Sequence, residues 1–134
     1  MRIVDRKAFL AMPDGTVFSM YDQSIIREPK VKTKSLGSEG EMADFCFTSL
    51  TDGVDCEWSE RDDIINLAEI EGTHFALSFN TQCRDGDFAP HQHFAVWGRK
   101  DVEGLIARLQ QTLADAYTIA TAPADSLPGV CPRK

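Results

Sequence analysis

Two of the three histidines in this 134-residue chain stand one residue apart, in Pro90-His91-Gln92-His93. Side chains two positions apart share one side of an extended segment, so His91 and His93 could offer two imidazoles to one divalent metal, with Asp85, Asp87 or His74 as a third ligand. The pair lacks the downstream acid or cysteine spacing of established metalloenzyme motifs, and two polar histidines in a loop are the plainer expectation. Asp85-Gly86-Asp87 could hold a cation or simply turn the chain. Cys46, Cys56, Cys83 and Cys131 contain no C-x-x-C pair. With no secretion signal at the start, the expectation is reduced thiols, Cys46 among them as a small core residue. The phosphate-binding and nucleophile-elbow glycine motifs are absent, so no catalytic residue and no cofactor is expected.

Positive groups suggest a second chemistry. Lys30, Lys32 and Lys34 alternate with Val31, Thr33 and Ser35, which puts three ammonium groups on one face of a strand. Together with Arg84, Asp85 and Asp87, Lys30 and Lys32 could bind a small anionic molecule such as a nucleotide. The favoured expectation is a solvated edge strand that its lysines protect from aggregation, an assignment Pro29 supports.

The strongest feature is an imbalance of charge. The formal net charge is −7, and residues 37–75 carry eleven Asp and Glu against one Arg, whereas residues 1–36 have an excess of basic groups. The acids Asp52, Asp55, Glu57, Glu60, Asp62 and Asp63 gather around the start of a predicted helix. Such a cluster builds a field that attracts a positively charged partner and repels phosphate, so a basic protein is the expected ligand and direct binding of nucleic acid is not. A solubilising face whose acids complement the helix N-terminus is the plainer alternative.

Several elements must carry these groups. Residues 5–12 read as a short helix capped by Asp5 and stopped by Pro13-Asp14-Gly15. Residues 16–21 read as a strand, and residues 25–34 as another interrupted by Pro29. Residues 42–50 form a further strand. Ser59 with Asp62 resembles a capping box for a helix ending at Gly72. Phe75, Leu77 and Phe79 alternate as a strand does, and residues 94–97 are the expected hairpin partner. Val102, Leu105, Ile106, Leu109, Leu113 and Ala116 recur at helical spacing. The order implies an α+β fold: a mainly antiparallel sheet packed by the two longer helices, with a short N-terminal helix. One domain is expected over residues 1–117, followed by a loosely ordered tail, 118–134, in which Leu127 and Val130 could dock locally. A 43% apolar composition with eight Phe suffices for a core, and no apolar run is long enough to span a membrane, which gives the expectation of a soluble, cytoplasmic protein.

The N-terminal run Arg2-Ile3-Val4-Asp5-Arg6-Lys7-Ala8-Phe9-Leu10-Ala11-Met12-Pro13-Asp14-Gly15-Thr16-Val17-Phe18 resembles a group of small proteins encoded by bacteriophages and prophages. The similarity continues through Phe75-Ala76-Leu77 and Phe94-Ala95-Val96 to Asp101-Val102-Glu103-Gly104-Leu105-Ile106. It does not include His91 or His93, and it brings no catalytic residue with it. The resemblance implies a phage accessory protein in the cytoplasm of a bacterial host. By analogy such a protein inhibits a basic, nucleic-acid-associated host factor, including one of a defence system. A nucleotide-sequestering protein is the alternative, and a metal-dependent enzyme a more distant one.

Overall fold

A computed structural model of the chain describes residues 1–37, 43–51 and 53–117. It divides into two units, the second of which begins at Arg99. The expected tail lies outside the described residues.

The first unit is built on an antiparallel sheet. Its strands are β1 (Arg2–Asp5), β2 (Val17–Asp22), β3 (Ile25–Ile26), β4 (Lys30–Leu36), β5 (Asp44–Ser49), β6 (Thr81–Arg84) and β7 (His93–Val96). The order across the sheet is β1-β7-β2-β4-β5-β6, with β3 also on β2. The α+β class is therefore as expected. Helix α1 (Arg6–Leu10) starts where the sequence places it, because the Asp5 carboxylate accepts from Ala8 N–H at 2.8 Å and satisfies a donor the short helix cannot.

α1 sends Phe9 into the core, whereas α2 (Arg61–Glu71) and α3 (Arg99–Thr112) carry no buried residue. Register explains how the core forms. Phe18 lies opposite Val96 and Met20 opposite Phe94, so alternate residues of β2 and β7 share one face with Phe45 and Phe47 of β5. Phe9 closes that face, with its ring stacked 4.1 Å from Phe94 and 4.6 and 5.0 Å from Phe18 and Phe45. The other face is more polar. There Trp97 is half-buried, and its indole N–H donates to Ser19 Oγ at 3.0 Å.

The sheet corrects three expectations. β4 is not an edge strand: it pairs with both β2 and β5, and Pro29 falls in the break between β3 and β4, where its missing N–H removes no ladder bond. The three lysines do not share a face either. A bulge between Lys32 and Lys34 sets Lys32 opposite Phe47 but Lys34 opposite Cys46, so Lys32 points into the core side and Lys34 away from it. Lys32 is only 1% exposed, and its ammonium donates to the Met12 carbonyl at 2.8 Å. Finally, residues 74–79 do not pair with residues 94–97. Among the described residues they form an isolated bridge, Leu77 to Val54, and β7 instead lies between β1 and β2.

The second unit is described by itself. In α3, Arg99 donates to Glu103 one turn on, and a single wider turn, Leu113–Tyr117, continues the helix. Ile106, Leu109 and Leu113 are at least half exposed. Among the described residues no helix is long and apolar enough to cross a membrane.

Candidate functional site

The acidic residues belong to an excursion between β5 and β6. Between them lie Gly53 and Asp55. The chain makes a tight turn at Trp58–Glu60, forms α2 and returns through residues 72–80. The two legs hold one another: Asp55 N–H donates to Ala76 O and Ser78 N–H to Gly53 O, both at 2.9 Å. Gly53 is required where the legs meet, since a Cβ there would lie 2.3 Å from Thr81 Oγ1 and 2.4 Å from the Ser78 carbonyl.

Asp55, Glu57, Glu60, Asp62 and Asp63 are all exposed within this excursion; Asp52 lies outside the described residues. Asp62 and Asp63 occupy the first turn of α2, where the helix dipole favours negative charge. One cation accompanies them, with Arg61 Nη1 at 3.7 Å from Asp62. The expected capping box does not form. Glu60 takes the cap position without a side-chain hydrogen bond, because the turn at Trp58–Glu60 moves Ser59 one step too early. The far end is as expected, with Gly72 left-handed at φ +69° and its N–H donating to the Ala68 carbonyl.

The acids are accompanied by apolar side chains that the fold does not use. Trp58 is 85% exposed and Ile70 82%, and Leu67, Phe75, Leu77 and Phe79 are exposed beside them in sequence. On α2, Arg61, Ile64, Ile65 and Ala68 form a half-buried stripe, whereas Asp63, Leu67 and Ile70 form a second stripe in solvent. The sequence carries a signal for this second stripe. Ile70 is six residues from Ile64, so the two sit on different sides.

The groups proposed for other chemistry are engaged elsewhere. Lys30 pairs with Glu28 at 3.0 Å and lies 4.8 Å from the centre of the Phe47 ring. Lys32 is buried. Arg84 donates through Nε to Asp44, and Asp85 accepts from Arg6 Nη2 at 2.8 Å. Asp87 is exposed in the loop that follows. Arg84, Asp85, Lys30 and Lys32 thus each have a partner within the chain, and the Arg84 side chain remains exposed. His91 is exposed in a turn and His93 is exposed on β7, with its Nδ1 3.0 Å from the His91 carbonyl. No three His, Cys, Asp or Glu side chains among the described residues are grouped to hold a metal ion.

The Arg6, Asp44, Arg84 and Asp85 cluster escapes sequence reasoning because its members come from α1, β5 and the end of β6. Arg6 also donates to the Ala43 carbonyl at 3.1 Å, and its guanidinium carbon lies 5.5 Å from the centre of the Phe45 ring. Its Nη1 is buried without a hydrogen-bond partner among the described residues. Burial would raise the Asp44 carboxyl. The Arg84 hydrogen bond, the N–H groups of Gly86 and Phe45 and the Arg84 charge outweigh it and hold the group below its ordinary 3.8. A depressed folded value contributes stability above the unfolded value, and that stability is lost as pH falls through the folded one. Urea midpoints of the wild type and Asp44→Asn should therefore converge as the solution is acidified below about pH 4. Parallel curves over that window would remove Asp44 from the acid response.

No protein-family model matches the sequence, and neither a curated protein nor a solved structure matches it.

Proposed function

We propose that this chain is a binding protein without catalytic activity. It docks the acidic start of α2 on a basic protein of a bacterial host, as a phage or prophage accessory factor that inhibits a nucleic-acid-associated defence or regulatory complex. One observation carries this reading: Asp55, Glu57, Glu60, Asp62 and Asp63 are all exposed within nine residues of chain, with Arg61 among them. Carboxylates so arranged repel one another, and a basic surface relieves that repulsion while the field speeds its approach. The phage context rests on the resemblance of residues 2–18 and the shorter matches after it. The inhibitory role follows by analogy with other small acidic accessory proteins.

The test is affinity capture from bacterial lysate, washed at stepped salt. It is run with the wild type and with a variant in which Asp55, Glu57, Glu60, Asp62 and Asp63 are all changed to Lys. A near-stoichiometric basic partner should be retained by the wild type at low salt, released as ions screen the charges, and absent from the variant. The variant should fold, because every changed side chain is exposed. Equal retention of the same partner by both would sink the proposal.

A further inference from the structure

We infer that the ligand of this surface is an amphipathic basic helix, whose apolar stripe covers Trp58, Leu67 and Ile70 while its Lys and Arg side chains meet the acids around them; the inference rests on the docking role proposed above. Charge alone would be served by a polar helix with acids on its outer side. The outward stripe of α2 instead interleaves Asp63 with Leu67 and Ile70. Trp58 stands almost free of the protein between Glu57 and Glu60. Large apolar groups left in water mark a place where a partner removes them from it. Tryptophan is prominent among the side chains that dominate binding energy when a partner covers them.

The chemistry of the cover follows from the charge. Residues 52–71 carry eight Asp and Glu against one Arg. A second copy of this surface would bring like charges together as its apolar groups met, which costs more as water leaves. A lipid surface of the usual negative sign is repelled for the same reason. What fits is a partner that presents apolar and cationic groups at the same pitch. A helix with an apolar stripe flanked by lysines does so, because its own period matches that of Asp63, Leu67 and Ile70.

Two synthetic peptides of identical composition separate the possibilities. One arranges leucines and lysines with helical period; the other is the same residues scrambled, so that charge is equal and the stripe is lost. Each is titrated into the full chain while tryptophan emission is followed, and the Trp58→Phe variant shows which part of the signal belongs to Trp58. The periodic peptide should bind at least tenfold more tightly than the scrambled one and move the Trp58 emission to shorter wavelength. Trp58→Ala should lose roughly tenfold or more in affinity for it. If both peptides bind alike, release with salt and leave the emission unmoved, the inference is overturned while acidic docking stands. If neither binds, the docking reading fails as well. Emission already at short wavelength in the free chain and moving to longer wavelength on dilution would assign the surface to a second copy and overturn the inference.

Discussion

Replacing Phe9 by Ala should cost about 3–5 kcal/mol and lower the melting temperature by roughly 15–30 °C. The reason is its position. Phe9 is fully buried and closes the aromatic face of the sheet from α1, with Phe18, Phe45 and Phe94 all within 5.0 Å, centre to centre. Truncation removes the transfer energy of the ring and leaves a cavity. Its walls are themselves rigid rings on paired strands, so they have little freedom to collapse. Phe79→Ala is the matched control, since that ring is 59% exposed. Calorimetry on the two variants decides the matter. A loss at Phe9 no greater than the loss at Phe79 would mean that the core does not depend on α1.

Arg6→Met should also be severe, at about 3–5 kcal/mol, even though Met retains most of the apolar stem. The wild-type guanidinium neutralises Asp85, whose side chain is only 2% exposed, and also occupies the Ala43 carbonyl. Removing it leaves a carboxylate in a poorly solvated place, where the cost is the uncompensated charge rather than the lost contact. Adding Asp85→Asn to Arg6→Met should therefore recover a substantial part of the loss, which denaturant melts of the two single variants and the double variant would measure as a coupling energy. Strict additivity would show that the pair does not act as a unit.

These two residues also mark what the sequence makes legible. α1 is local information: Asp5 supplies the cap, and Pro13-Asp14-Gly15 supplies the stop. The charge map is equally local, and of the acids it singles out Asp55, Glu57, Glu60, Asp62 and Asp63 are exposed. The partners of Arg6 are not local, since Asp44 and Asp85 lie far along the chain and are brought together only by pairing of β5 with β6. The fate of the lysines is decided by one bulge, which a period of two cannot anticipate. Alternation in Phe75, Leu77 and Phe79 identifies which side chains point together but not whether anything covers them. The β5 edge is already taken by residues 81–84, so this run is left as the return leg of the excursion. Its exposure, with that of Trp58 and Ile70, leaves large apolar side chains of this segment in solvent, and the proposed partner would cover that surface.

The most direct test of that surface is amide hydrogen exchange of the full chain, alone and saturated with the periodic leucine-lysine peptide. The account predicts new protection across residues 55–71 and little change in β1, in β6 or in the loop that carries His91. Protection concentrated at those sheet edges or in that loop, with residues 55–71 exchanging as before, would contradict it.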